Sequence, residues 1–206
     1  MSIFADKLGK ENIYCILAEN MKDNFSIAFD RQYDVIDTQD LSVRPNQIFL
    51  VSLDFSPIGQ RLQAKIVKDV EDKLQTIFGL RTLSPDDTRY IGNYLGDFNR
   101  DLAYHNGTVW PWLLGPFIKA FVKTKKREKE WRDYAFQNFL KPMLDVMGDQ
   151  WDGSIHEIFD GSSPYIPHGC ISQAWSVAEI LRAWIEDIEN ITPKYEESIF
   201  SHKIRV

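Results

Sequence analysis

The sequence predicts an all-α protein built from antiparallel helical hairpins, and three observations support that prediction. Apolar residues recur at helical spacing in six segments. Strand-like alternation is weak throughout, and Gln32–Ile36 is the best candidate for a strand. Short connections alternate with long ones, as expected where one rim of a helical array carries the functional loops.

The third helix has the clearest sequence signals. Ser56 can cap it, Pro57 suits its first position, and a buried stripe follows. In the fourth predicted helix, Pro116 predicts either a kink or a helix that begins later than its apolar pattern. The predicted helices are Glu11–Ala28, the short apolar segment Ile48–Leu53, a third helix that begins at Pro57, Thr108–Val122, Glu128–Met147 and Ile171–Ile188. The third helix has the buried stripe Leu62, Ile66, Val67, Val70 and Leu74, and the fifth has Trp131, Ala135, Phe139 and Met143 along one side. The sixth is expected to bury Ala174, Val177, Ala178, Leu181 and Ile185.

Two long segments lack helical periodicity. Phe78–Gly107 is rich in Gly, Asp, Tyr and Arg, and Asp149–Gly169 is a second, shorter segment of this kind that also looks ordered. Loops of this length in compact domains are usually functional or disordered, and the aromatic and apolar content here favours ordered, functional loops.

Composition limits the class of protein. The chain has 206 residues, 44% hydrophobic and 26% charged, which fits one domain over residues 1–206. A net charge of −6 argues against a nucleic-acid partner. Residues Met1–Lys7 lack the pattern of a signal peptide, and no stretch approaches the roughly 20 apolar residues of a membrane span. We therefore expect a soluble, cytoplasmic protein without a membrane partner.

Two smaller features have alternative interpretations. Cys15 and Cys170 could form a disulfide, but free buried thiols are the preferred interpretation. The basic run Lys123–Arg127 falls between two predicted helices, so a solvated turn is preferred over a docking patch for an acidic partner.

The segment Arg100–Trp112 concentrates unusual chemistry. It combines a charged pair, an imidazole, an amide and three large aromatic rings, with a Gly and a Pro among them. Each polar group needs a partner if it is buried, so such a mixture is costly without a role. Rings suit the apolar C–H faces of a sugar and polar groups suit its hydroxyls. The segment therefore predicts carbohydrate binding.

Individual residues leave alternatives open. Glu157, flanked by apolar residues, is either a general acid or base or a carboxylate that caps backbone amides. Asp101 and Arg100 form either an ion pair or a sugar contact, and His105 suits a hydrogen-bonding role better than a catalytic one. The tryptophans can be core residues, with one or two expected to face a cleft: Trp110, Trp112 and Trp175.

Several kinds of site are not supported. The four His and two Cys show no metal-ligand spacing. The glycines at 92, 96 and 107 do not form a dinucleotide or phosphate-loop pattern. Gly169–Ser172 lacks the second glycine of a nucleophile elbow, so a serine hydrolase is not supported. No metal and no cofactor are expected.

Taken together, the motifs resemble the amylo-α-1,6-glucosidase domain at the C-terminal end of glycogen debranching enzymes. They occur in family order over about three quarters of the chain. The matching segments are Arg44–Ile48, Gly79–Pro85, Tyr104–Trp112, Glu157–Gly161, Pro167–Gly169 and Gln173–Ser176.

This resemblance implies an (α/α)6 toroid and inverting hydrolysis of α-1,6-linked glucose at the branch points of glycogen or starch. Glu157 matches the general base that activates water. Inverting enzymes need two carboxyl groups about 6.5–9.5 Å apart. The expected substrate contacts are Arg44, Asn46, Arg81, Asp101, Tyr104, His105, Asn106, Trp110, Trp112, Gln173 and Trp175.

The sequence also departs from the family. A full toroid needs about twelve helices and about six are found, so the chain resembles the second half of the domain, and the acidic motif that supplies the general acid has no match. We expect an α-glucan substrate and a second polypeptide or N-terminal half that completes the ring, or a homodimer. The alternatives are a non-catalytic glucan-binding subunit and a purely structural one.

Overall fold

A computed structural model describes residues 5, 7–9, 12–28, 32–150 and 153–192, without the side chains of 25–28 and 149–150. Most of these residues are helical, which confirms the all-α class and fits a fragment of an α/α toroid. The predicted first residue of the first helix, Glu11, lies outside the described residues. The helices are α1 (Ile13–Ala28), α2 (Phe49–Ser52), α3 (Gln60–Lys73), α4 (Asp97–Asn106), α5 (Leu114–Thr124), α6 (Lys129–Ala135), α7 (Lys141–Gln150) and α8 (Ala174–Arg182).

Short irregular helices extend several of these elements. The 3-10 turn Pro45–Ile48 leads into α2, and Pro111–Leu113 leads into α5. The π-helical turn Phe136–Leu140 joins α6 to α7, and a second one, Ala183–Ile188, continues α8 and is counted as part of α8 below. Within the described residues, no helix has the length and apolar character needed to cross a membrane.

Helix α5 is the centre of the core. Its residues Leu114, Phe117, Ile118 and Phe121 are buried, and it packs against α2, α3 and α8. Burying each such side chain contributes roughly 1.5–3 kcal/mol. Pro116 lies in the first turn, where a missing N–H costs nothing, so the predicted late start is confirmed.

Helix α3 begins later than predicted. Its N-cap is Gly59, because Ser56 Oγ instead donates 2.6 Å to the carbonyl of Leu50. The predicted stripe is correct at Ile66, Val67, Val70 and Leu74, all of which are buried.

The described strands form one small antiparallel sheet in the order β1-β2-β3-β4-β5. The candidate strand Gln32–Ile36 was wrong, because only an isolated bridge joins Val35 to Asp40 there. Strands of two or three residues are too short to show alternation in the sequence. They are β1 (Gln75–Thr76), β2 (Gly79–Arg81), β3 (Val109–Trp110), β4 (Ile158–Phe159) and β5 (Pro167–His168).

Helix α4 lies inside the segment predicted to be a loop, Phe78–Gly107. Its apolar residues Phe98 and Leu102 face solvent, and Ala103 is its buried residue. Because α4 has almost no apolar stripe, periodicity could not reveal it. Most of the chemically unusual segment Arg100–Trp112 therefore lies on a helix.

Helix α8 buries a different face from the one predicted. Ala174, Ala178, Leu181 and Ile185 are exposed. The buried positions are Ser176, Ile180, Ala183, Asp187 and Ile188. In α1 four apolar residues are also exposed, among them Ile13 at 54% and Met21 at 60%. Both helices thus present apolar faces to solvent.

The two smaller features also differ from expectation. Cys15 and Cys170 are free thiols, as preferred, but both are exposed rather than buried. The basic run is not simply solvated. Lys123 Nζ donates to the carbonyls of Val51 (2.8 Å) and Leu53, and Arg127 pairs with Asp187 at 3.1 Å.

Candidate functional site

A cavity of about 370 Å³ lies where α4 meets the loops around β4 and β5. Its volume falls in the range of about 300–1,000 Å³ that small-molecule sites occupy. Helix α4 contributes three of its side chains, the segment before that helix contributes one, and the segments around the two strands contribute the other two. The lining residues are Tyr94, Asp101, Tyr104, His105, Glu157 and Gly169.

The carboxylate of Glu157 is held from two sides. The hydroxyl of Tyr104 donates to Oε1 at 2.6 Å, and the backbone N–H of Cys170 donates to Oε2 at 3.0 Å. The main chain of Glu157 also donates to the carbonyl of Cys170 at 2.9 Å. The carboxylate therefore has a fixed orientation at the cavity, as a preorganised catalytic group requires.

Gly169 makes this arrangement possible. Its φ of +71° lies in the left-handed region, which disfavours side chains. A Cβ at this position would lie 2.7 Å from Glu157 Oε2 and 2.9 Å from Glu157 Cβ. Both the backbone conformation and the close approach of the glutamate thus require glycine.

Tyr104 is a hydrogen-bond donor to the glutamate. Burial raises the pKa of its phenol, and the hydrogen bond and negative charge of Glu157 raise that pKa further. The phenol consequently stays protonated at neutral pH and keeps its proton available for Glu157.

Asp101 and His105 lie on the same helix as Tyr104. Asp101 lines the cavity and forms a long ion pair, 3.9 Å, with Arg100. Both of its predicted roles thus remain compatible with its position. The ring of His105 meets Tyr104 edge-on at 5.1 Å.

Arg44 and Asn106 lie at the end of α4 and bond to each other. Arg44 Nη2 donates to Asn106 Oδ1 at 2.8 Å, and Nη1 donates to the carbonyls of His105 (2.7 Å) and Thr82 (3.2 Å). The guanidinium therefore closes the C-terminal end of α4, where a cation is favourable.

Asn46 lies next to Arg44 on the other side. Its amide donates to Asp34 Oδ1 at 3.2 Å, and Asp34 also pairs with Arg44 at 3.7 Å. Burial raises the pKa of Asp34, which the hydrogen bond from Asn46 and the charge of Arg44 partly offset.

Arg81 and Gln173 support the loops of the site. Arg81 donates to the carbonyl of Gly161 at 2.8 Å and to Tyr165 Oη at 3.1 Å. Gln173 is the N-cap residue of α8, and its N–H donates to the carbonyl of Ile155 at 2.8 Å.

The three tryptophans form a row of rings beside the cavity. Trp110 meets Tyr104 edge-on at 4.8 Å, and its indole N–H donates to Thr108 Oγ1 at 3.1 Å. Trp175 lies 5.9 Å from Trp110 and stacks on Trp112 at 5.8 Å. Trp175 is 46% exposed, so the row leads from the cavity to the surface.

Sequence reasoning missed Tyr94 as a cavity residue. Its N–H donates to Asp160 Oδ1 at 2.7 Å, and that oxygen also lies 3.0 Å from His168 Nε2. Nearby, burial lowers the pKa of His156, and the charge of His168 lowers it further. Tyr94 lies in an irregular segment 66 positions from Asp160, so no local pattern could connect them.

The donor set does not suit a metal ion. Within the ranges that the structure describes, no three or more His, Cys, Asp or Glu side chains cluster closely enough to hold one. The cavity instead combines aromatic faces with two carboxylates, which suits a neutral polyhydroxylated ligand.

Comparison with known proteins agrees with the motifs. A relative, the glycogen debranching enzyme of Saccharomyces cerevisiae, is 27% identical over 171 residues, covering 69% of this chain and 10% of that protein. The chain thus spans about a tenth of the length of that relative. The family model described as amylo-alpha-1,6-glucosidase matches residues 1–182. Because this match includes most of the sequence, the chain belongs to the amylo-alpha-1,6-glucosidase family.

Proposed function

We propose that this chain supplies the general-base side of an inverting α-1,6-glucosidase site, with Glu157 as the base. The observation that carries the proposal is the carboxylate of Glu157, held by Tyr104 and the N–H of Cys170 beside an aromatic-lined cavity. The substrate would be an α-glucan, at the α-1,6-linked glucose of a branch point.

In this mechanism Glu157 removes a proton from a water molecule as that water attacks the anomeric carbon. A second carboxyl group protonates the leaving glycosidic oxygen from the opposite face of the sugar, about 6.5–9.5 Å away. The anomeric carbon is inverted, because water enters opposite the leaving group. Tyr104 and Cys170 hold the base in place, and the other predicted contacts would bind or support the glucose.

We propose that another part of the complete enzyme supplies the general acid. Asp101 is the second carboxylate at this cavity, but its side chain is 83% exposed, unlike the apolar setting that keeps an acid protonated. The acid would come from a second polypeptide or an N-terminal half that completes the toroid, or from a second copy of the chain.

The exposed apolar faces support such a partner. Leu181 and Ile185 on α8, and Ile16 and Leu17 on α1, are all at least 43% exposed. Large exposed apolar patches mark interaction surfaces in soluble proteins, and these side chains are candidates for such a surface. Light scattering separates the arrangements, since a homodimer would have twice the mass of the 24.0 kDa chain.

The proposal is tested by assaying isomaltose and phosphorylase-limit dextrin, with and without the completing polypeptide. Glu157→Gln should lower kcat/KM of the complete enzyme on the order of 10³-fold or more, since it removes the base but keeps the shape. Glu130→Gln, at an exposed glutamate of α6, is the matched control and should leave the rate unchanged.

Two results would contradict the proposal. If Glu157→Gln leaves the rate of hydrolysis unchanged, Glu157 is not the general base. An equally large loss for Asp101→Asn would place the acid in this chain. Detection of β-glucose as the first product, by NMR, checks inversion directly.

The exposed tryptophan favours a second candidate, a non-catalytic glucan-binding subunit. The row Trp110–Trp175–Trp112 offers a rigid aromatic surface whose middle ring, Trp175, is exposed to solvent. This candidate predicts glucan binding that weakens on Trp110→Ala or Trp175→Ala, with no turnover in any pairing. Phe55→Ala, at an 88% exposed ring elsewhere, is the control. A purely structural subunit would bind no glucan at all.

A further inference from the structure

The carboxylate of Asp160 is buried without a part in the proposed reaction. It is 2% exposed and follows strand β4 directly. Its Oδ1 accepts the N–H of Tyr94 at 2.7 Å and lies 3.0 Å from His168 Nε2, across the β4–β5 hairpin. A buried carboxylate is costly unless it is paired in this way, so the pairing defines the local structure.

The segment that contains Tyr94 is held in place by individual hydrogen bonds and not by regular secondary structure. Residues 91–95 lie outside any helix or strand. The segment is joined to the hairpin loop at two points. Gly92 accepts the N–H of Gly161 at 2.7 Å, and Tyr94 donates to Asp160. Asp160 therefore sets where the backbone of Tyr94 lies.

The ring of Tyr94 is also held on several sides. Its centroid is 5.2 Å from the ring of His168 and 6.0 Å from that of Tyr104, and the Arg100 guanidinium lies 5.8 Å from it. Tyr94 lines the same cavity as Glu157. Asp160 and His168 thus fix the ring of Tyr94 as one wall of the cavity, while Tyr104 and Cys170 fix the carboxylate of Glu157.

We propose that Asp160 and His168 are positioning residues that hold Tyr94 as a sugar-stacking wall of the cavity. This inference rests on the proposed function, because it assumes that a glucosyl unit occupies the cavity. A fixed ring binds the apolar face of a sugar without first losing its own conformational freedom, and that preorganisation increases affinity.

The test is a double-mutant cycle on the intact chain, with isomaltose as the probe and NMR chemical-shift titration as the measurement. Asp160→Asn and Tyr94→Ala should each weaken binding about tenfold, the upper range of one aromatic contact. If Asp160 acts through Tyr94, the double variant should bind no more weakly than Tyr94→Ala alone. A separate loss from each, multiplying to about a hundredfold, would overturn the inference.

The Tyr94 amide resonance gives a readout independent of sugar. Asp160→Asn should shift it, because the acceptor loses its charge. Asp87→Asn should not. This control makes the same change at a carboxylate that accepts the N–H of Arg89 at 2.9 Å and does not line the cavity. A shifted Tyr94 amide with unchanged isomaltose affinity would also overturn the positioning role.

Two further results are decisive. If Asp160→Asn does not fold, His168→Ala takes its place in the same cycle and should weaken binding only when Tyr94 is present. If the wild-type chain binds no isomaltose either alone or with the completing polypeptide, the sugar site and the proposed function fail together. By contrast, binding with additive losses overturns this inference alone.

Discussion

Helices α5 and α8 are both rich in large apolar side chains, yet they use them in opposite ways. In α5 the residues Leu114, Phe117 and Ile118 are completely buried. In α8 the large residues Leu181 and Ile185 face solvent, while the inward face includes the charged Asp187. The comparison shows that an apolar stripe becomes a core only where another element covers it.

The largest expected effect tests the buried side of this comparison. Phe117→Ala should lower the free energy of unfolding by about 3–5 kcal/mol, because it leaves a cavity among close-packed rings. Phe139 lies 5.0 Å from it, edge-on. Urea denaturation followed by circular dichroism measures the loss. Phe55→Ala is the control, and a loss below about 1 kcal/mol for Phe117→Ala would contradict the central place of α5.

The next effect concerns the charged residue on the inward face of α8. Asp187 accepts from Arg182 at 2.8 Å and from Arg127 at 3.1 Å. Asp187→Ala should cost about 2–3 kcal/mol, because Arg127 loses the carboxylate it pairs with and Arg182, which keeps Glu179, loses its bond to a buried acceptor. Asp133→Ala removes an exposed pair with Lys129 and should cost almost nothing. Equal losses in the two variants would show that the inward face of α8 is not a true interior.

A smaller effect tests the contact between the two helices. A Cβ on Gly115 of α5 would lie 2.9 Å from the carbonyl oxygen of Glu179 on α8. Gly115→Ala should therefore cost about 1–2 kcal/mol, since the strain of overpacking exceeds the gain in helix propensity. Gly148→Ala in α7 meets nothing within 4 Å and should be neutral or stabilising. A stabilising Gly115→Ala would show that the helices are not in close contact.

The smallest effect on stability is the most informative about function. Leu181→Ser and Ile185→Ser should change the free energy of unfolding of the isolated chain by no more than about 0.5 kcal/mol, because both side chains are exposed. Ile180→Ser, at a buried neighbour, should destabilise it strongly. In the complete enzyme, the two surface changes should weaken subunit association in analytical ultracentrifugation. Unaltered association would contradict a partner on this face.

The sequence predicted the core better than the sheet or the loop helix. Helices α3 and α5 were found because their apolar spacing matches the face that is buried. Helix α4 was missed because its residues Phe98 and Leu102 face solvent, and strands of two or three residues show no period. For α8 the prediction placed the most apolar stripe inside, but periodicity does not show which face of a helix its neighbouring elements cover.

Within the site, local motifs were sufficient for some residues. Glu157, Tyr104 and His105 occur in dense polar-aromatic segments, and the structure brings all three to one cavity. Tyr94 lacked such a signal, because its position depends on a bond to Asp160 from a distant part of the chain. Contacts of this kind arise from tertiary packing and cannot be read from spacing.

The bonds of Arg44 have a consequence for the order of folding. This residue closes the end of α4 from 61 positions away in the sequence. A helix of only ten residues is marginal by itself. The turn with Tyr104 and His105 can therefore become stable only after a long loop has closed, which slows its formation. The cavity should be among the last parts of the chain to form and among the first to open.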